Sequence, residues 1–182
     1  MQKVIAYLIL PSLLLVVMAF TPVAKEKVHW LTVAEAQVAY AKNPKPILVD
    51  VYTSWCGWCK VMDKETYGNE KIVAYLNQHY YAIKLDAERR DSVIWNGKKY
   101  GYNRRARVNE LALYLTNGQI SFPTTVFLTA LNAQPLPLLG YLKAKEIAAP
   151  LNYFGEGAYK TQSFPEFNKN FSPENWIASL TK

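Results

Sequence analysis

Cys56 and Cys59 are the two cysteines of this 182-residue chain, and they stand in the run Trp55-Cys-Gly-Trp-Cys-Lys60. Two thiols separated by two residues can close a small disulfide ring and reopen it, which is the chemistry of dithiol–disulfide exchange. No third cysteine competes as partner, resolving thiol or metal ligand. A cysteine at the start of a helix faces unpaired backbone N–H groups and the positive end of the helix dipole. Its pKa then falls from about 8.5 to between about 3.5 and 7.5. On this reading Cys56 is the nucleophile that attacks a substrate disulfide, and Cys59, one turn along, resolves the mixed disulfide. The resolving thiol must lose a proton inside an apolar site. Asp50, six residues before Cys56 in an otherwise apolar run, is placed to take it, because burial raises the pKa of such a carboxyl. Lys84, on the next strand, is a candidate to modulate that acid.

Other chemistries fit less well. A purely structural disulfide across so short a loop would constrain the unfolded chain little. A zinc site would have to recruit His29 and His79, whose spacing matches no zinc module. Covalent haem attachment needs a histidine where Lys60 stands. For Asp50 the competing reading is a satisfied core acid with no role in the chemistry.

The elements that must position these residues can be read from the pattern. Thr32-Val-Ala-Glu35 carries a capping-box signature for a helix running to about Lys42. After the turn Asn43-Pro-Lys-Pro46, Ile47–Tyr52 reads as a central strand buried on both faces. Helical patterns follow from about Cys56 to Glu65 and from Asn69, and Tyr80–Leu85 reads as a second strand. Residues 87–108 read as polar, basic and irregular. A helix starts at Asn109 and ends at Asn117-Gly118. A strand over 121–128 has a proline at its entrance, and another covers Leu136–Leu142. A helix from about Lys143 to Phe154 holds Pro150, which should kink or interrupt it. Ser172-Pro-Glu174 opens a last short helix. The order of strands and helices describes a three-layer α/β/α sandwich.

Length and composition bound the class. One domain of this size buries roughly two-thirds of its unfolded surface and needs no disulfide to hold its fold. Lys3 precedes an apolar run from Val4 to Phe20, followed by small residues. This describes an export signal over 1–24, with cuts after Ala19 or Ala24, or else an uncleaved membrane anchor. A single domain then covers 25–182. No cysteine stands at the border of the apolar run, which argues against a lipid-anchored form. The formal net charge of +7 would suit nucleic acid, but an exported protein rarely meets any.

The segment Val49-Asp50-Val-Tyr-Thr-Ser-Trp55-Cys-Gly-Trp-Cys-Lys60 resembles the active-site segment of the thioredoxin family, with acid, tryptophan, both cysteines and following lysine in register. Phe122-Pro123-Thr124 resembles that family's cis-proline loop, and Gly140 matches the glycine of its last hairpin. The resemblance covers about 28–155. It is nearest to exported thioredoxin-related proteins whose active-site helix continues as here through Met62 and Thr66-Tyr67. It implies a thioredoxin-like α/β fold with a central mixed sheet, an insert over 89–120 and a C-terminal helical extension over 155–182. It also implies a docking site made of Trp55, Gly57, Trp58, Phe122, Pro123 and Thr124, with Lys60 and Lys84 modulating the redox centre. No metal or organic cofactor is implied beyond the redox-active Cys56–Cys59 pair. The implied partners are protein disulfides and a membrane thiol electron donor, in a periplasmic setting.

Trp58 stands where the family usually has a proline, at a position that tunes redox potential. Such folds range from about −270 to about −120 mV, so reductase and oxidase or isomerase both remain open, as does a client-binding module with incidental thiols. The insert holds Arg89, Arg90, Lys98, Lys99, Arg104, Arg105 and Arg107, read either as a solvated loop or as a surface for an acidic partner. The aromatic tail, with Tyr159, Phe164, Phe167, Phe171 and Trp176, reads as a cover packed on the sheet or a helix.

Overall fold

The chain enters α1 (Val33–Lys42) through a complete capping box, in which the Thr32 hydroxyl accepts from Glu35 N–H and the Glu35 carboxylate accepts from Thr32 N–H. The structure, a computed structural model, describes residues 26–180. The apolar segment read as an export signal or anchor lies outside the described residues, and among those residues no helix is long and apolar enough to cross a membrane.

After α1 come β1 (Ile47–Tyr52), α2 (Gly57–Glu65), α3 (Glu70–His79) and β2 (Tyr81–Asp86). Two small hairpins follow, β3 (Val93–Trp95) with β4 (Lys98–Tyr100), and β5 (Tyr102–Asn103) with β6 (Val108–Asn109). Then come α4 (Glu110–Leu115), β7 (Thr124–Leu128), β8 (Leu136–Leu139) and α5 (Ala144–Gly155), and after a 3-10 turn the short α6 (Phe164–Lys169) and α7 (Pro173–Ser179). The main sheet has the order β2-β1-β7-β8, with β1 parallel to β2 and antiparallel to β7.

Alternation along β1 divides the core into two halves. Ile47, Val49 and Val51 pack with α1, α4 and the hairpins, through Val33, Trp95, Val108 and Leu111. Leu48 faces the opposite way and packs with Met62 of α2, Ile72 and Leu76 of α3, and Ile147 and Leu151 of α5. The three layers are thus helices and hairpins, sheet, and helices. Asp50 shares the parity of Leu48, so the pleat turns its carboxylate toward the side that α2 covers.

Three expectations are corrected. Residues 87–108 are not irregular, because they carry both hairpins, and Asn96 and Gly97 supply the two positive φ angles (46° and 76°) of a tight turn between β3 and β4. Buried Val93, Trp95 and Tyr100 seat that hairpin, and Gln37 of α1 clamps it by donating to Ile94 C=O and accepting from Asn96 N–H. Of the kink or interruption expected at Pro150, interruption does not occur: α5 runs on across it, and buried residues on both sides (Ile147, Ala148, Leu151, Phe154) offset the roughly 3 kcal/mol that an interior proline costs. The tail holds two helices rather than one: Ser163 and Glu166 form a capping box for α6, and the tail packs on α3 and α5 through Tyr159, Phe167 and Trp176.

Candidate active site

Cys56 is the N-cap of α2, with extended backbone angles, and its Sγ accepts from Cys59 N–H at 3.1 Å. The two cysteines are joined in a disulfide with Cα atoms 5.3 Å apart, and both are buried. Cys56 therefore sits at the unpaired N–H groups of the first turn of α2, the placement on which the dipole argument depends. Both cysteine residues are equally enclosed in this oxidised state.

Below α2 lies a charged cluster set in apolar surroundings. Asp50 is 2% exposed; its Oδ2 is 3.1 Å from Lys84 Nζ, and its Oδ1 is buried without a hydrogen-bond partner among the described residues. The register pairs Asp50 with Lys84 on β2 and with Thr125 on β7, which brings the lysine alongside the acid. Lys84 also bonds to Asp63 of α2 and lies over the rings of Trp30 and Tyr52, at 5.0 and 5.1 Å from their centroids. Burial pushes the Asp50 carboxyl up to about 6, even though Lys84 pulls it down. The Tyr67 hydroxyl, also driven upward by burial, closes the cluster on Thr125. Asp63 escaped the sequence reading. Its signal was its position four residues after Cys59, one turn further along the same helix face.

Above the disulfide, two tryptophans stand in solvent. Trp55 and Trp58 are 65% and 62% exposed, so neither is core packing. Trp58 stacks on Tyr141, which follows Gly140, and with Phe122, Pro123 and Gly140 these rings line a groove of about 210 Å³. The Phe122–Pro123 peptide bond is cis, and Pro123 C=O accepts from Gly140 N–H at 2.8 Å. Trp55 meets Phe122 edge-to-face and donates its indole N–H to Glu88 at 3.1 Å. A second groove, of about 310 Å³, opens there between Trp55, Phe122, Glu88, Ile120 and the hairpin residues Ala106, Arg107 and Val108. Gly57 is exposed, and a Cβ built on it meets nothing within 4 Å, so the space above it is open to an incoming chain.

Not every residue of the expected docking site lies on that surface. Thr124 is fully buried, its hydroxyl donates to Ser121 C=O at 2.7 Å, and its backbone is paired between Val51 and Leu139. Its side chain holds the loop in place. Lys60 is exposed on the first turn of α2, outside the Asp50–Lys84–Asp63 cluster.

Comparison with known proteins bears on the same residues. A family model described as "Thioredox_DsbH: Protein of unknown function, DUF255" matches residues 19–152. The Caenorhabditis elegans protein B0495.5 is 39% identical over 71 residues, covering 38% of this chain and 10% of its own length. The thiol:disulfide interchange protein DsbD of Campylobacter jejuni is 43% identical over 44 residues, 24% of this chain and 8% of that protein. The chain thus spans a tenth or less of the length of these curated relatives. A solved structure described as "DsbH Oxidoreductase" superposes with a TM-score of 0.52 at 16% identity, over 77% of this chain and 92% of that one, which establishes a shared thioredoxin-like fold.

Proposed function

The chain belongs to the Thioredox_DsbH family, and we propose that it is a thioredoxin-like disulfide oxidoreductase that works outside the cytoplasm as a reductase of disulfides in other exported proteins. The observation that carries this reading is the Cys56–Cys59 disulfide at the N-terminus of α2, with a carboxylate buried behind it and exposed aromatic side chains in front. The reduced form begins the cycle. Cys56 thiolate attacks one sulfur of a substrate disulfide and forms a mixed disulfide, and the displaced substrate sulfur takes up a proton. Cys59 gives its proton to Asp50 and attacks Cys56 Sγ. The Cys56–Cys59 disulfide closes, and the second substrate thiol leaves with its proton. Two electrons pass to the substrate, and an external dithiol donor must return them, which we assign to a membrane thiol carrier.

Asp50 suits the proton step because a carboxyl titrating near 6 is ionised at neutral pH and still basic enough to accept a thiol proton. Lys84 and Asp63 extend the cluster from Asp50 to the half-exposed edge of α2, which supports a route for that proton to water. Trp55, Trp58, Phe122 and the open space over Gly57 supply the apolar surface on which an extended substrate segment would lie. Export rests on the apolar N-terminal run and its small-residue border.

The test is the reduction potential of the pair, measured by equilibration with glutathione or dithiothreitol buffers. A value near or below about −250 mV supports the reductase. A value near about −150 mV or above turns the reading to oxidation or isomerisation with the same residues. Failure of the pair to cycle at all would leave a client-binding module.

A further inference from the structure

The tip of the β5–β6 hairpin is Arg104-Arg105-Ala106-Arg107, and it stands at the mouth of the active site. This loop is built rather than loose. Asn103 Oδ1 accepts from Arg105 N–H at 3.1 Å and from Ala106 N–H at 2.9 Å. Arg107 holds a left-handed conformation (φ 58°), an unusual one for a side chain of that size. The hairpin is tied down by Asn109, fully buried, whose amide donates to Arg89 and Asp91 C=O and whose own N–H donates to Ala87 C=O. Arg107 lines the groove beside Trp55 and Phe122, and Arg104 and Arg105 are exposed next to it. Among the described residues none of the three makes an ion pair. One acid faces the same groove, Glu88, and its Oε2 is held by the Trp55 indole.

From this arrangement we infer that the arginine loop is a specificity surface of the enzyme, selecting protein disulfides whose flanking residues are acidic. The inference rests on the reductase reading above and names the substrate class for that site. The occupant is an extended polypeptide carrying a disulfide, because the groove is walled by Trp55, the residue directly before Cys56, and by Phe122, so that its floor is aromatic. Its charge follows from three unpaired guanidiniums against one committed carboxylate. Arginine offers planar paired donors to a carboxylate, and a cluster of like charge beside a cleft raises the encounter rate of opposite charge. Such an effect decays with salt as the screening length shortens from roughly 20 Å at 0.02 M to about 4 Å at 0.5 M.

The experiment uses the reduced protein and two disulfide-cyclised peptides, identical except that Asp and Glu in one replace Ser and Gln in the other. Single-turnover reduction rates are followed by acid quench and mass spectrometry. The acidic peptide should react about ten-fold faster at 0.02 M salt, and the ratio should fall toward one at 0.5 M. The same collapse is expected at low salt in the variant Arg104→Ser, Arg105→Ser, Arg107→Asn, where asparagine tolerates the left-handed angle. Equal rates for both peptides at low salt in the native protein overturn the inference and leave the reductase standing. Failure to reduce either peptide, or hydroxyethyl disulfide, overturns the reductase reading and this inference with it.

Discussion

Lys84 Nζ lies 3.1 Å from Asp50 Oδ2, while the second oxygen of that carboxylate is buried with no hydrogen-bond partner among the described residues. The ion pair is therefore half-made. A carboxylate removed from water and bonded on one side keeps a strong affinity for a proton, and Lys84 limits that affinity without abolishing it. The result is a group pushed up to about 6, able to exchange protons near neutral pH.

The first prediction concerns the order of thiol chemistry. Cys59→Ser, reduced and mixed with a peptide disulfide, should accumulate a covalent adduct on Cys56, whereas Cys56→Ser should accumulate none. Intact-mass spectrometry reads both. An adduct formed equally well through Cys59 would reverse the assigned roles.

Asp50→Asn should slow resolution of the mixed disulfide at pH 7 by about 10²-fold, the order of a lost general base. In the native protein the resolution rate should fall as pH drops through about 6, where the carboxylate becomes protonated. That limb should vanish in the variant. A native-like pH profile in Asp50→Asn would remove the carboxylate from the mechanism.

The same substitution has an opposite effect on stability. The folded-state value lies above the ordinary 3.8, so between those two values the folded protein binds more protons than the unfolded chain, and its stability falls as pH rises. Replacing the carboxylate by a neutral amide should therefore stabilise the oxidised protein above pH 7, by up to about 3 kcal/mol, and add nothing near pH 3. Urea unfolding at the two pH values measures it, and a variant less stable at pH 8 would contradict the burial argument.

Lys84→Met removes the cation that holds Asp50 down. The Asp50 carboxyl should move above 6, and the acid limb of the resolution profile should shift toward alkaline pH. Stability should fall by about 1–3 kcal/mol at pH 8, where the buried carboxylate is left without a cation, and much less at pH 5, where it is protonated. An unshifted profile would show that the lysine does not govern the acid.

Asn109→Ala should cost about 2–3 kcal/mol, because it removes the α4 cap and leaves two carbonyls of the insert without their donor. Asn69 caps α3 through the same kind of bonds but makes no such bridge, so Asn69→Ala should cost about 1 kcal/mol. Equal losses in denaturant titration would mean that Asn109 is a cap and nothing more.

How much was legible follows the range of each interaction. Thr32 with Glu35, Asn69, Asn109 and Ser172 were all readable as helix starts, because a cap bonds within three residues of itself. Asn96-Gly97 was equally local, and the pair was a hairpin signal that the basic surroundings obscured. Pro150 misled because its cost is local while the burial that offsets it comes from β7 and the tail. Thr124 misled in the other direction, since adjacency to Pro123 does not say which way a strand residue points.

The sequence by itself determined the parts of the site: two thiols at helical spacing, an acid inside an apolar strand, and a motif that resembles the thioredoxin family's. Those features depend on neighbours along the chain and on the pleat of one strand. Only the tertiary structure decided that Lys84 joins Asp50 to Asp63, that Glu88 takes the indole of Trp55, and that Arg107 lines a groove with Trp55 and Phe122. Each of these joins segments about twenty to fifty residues apart, and such contacts exist only once strand pairing and hairpin docking have brought the segments together.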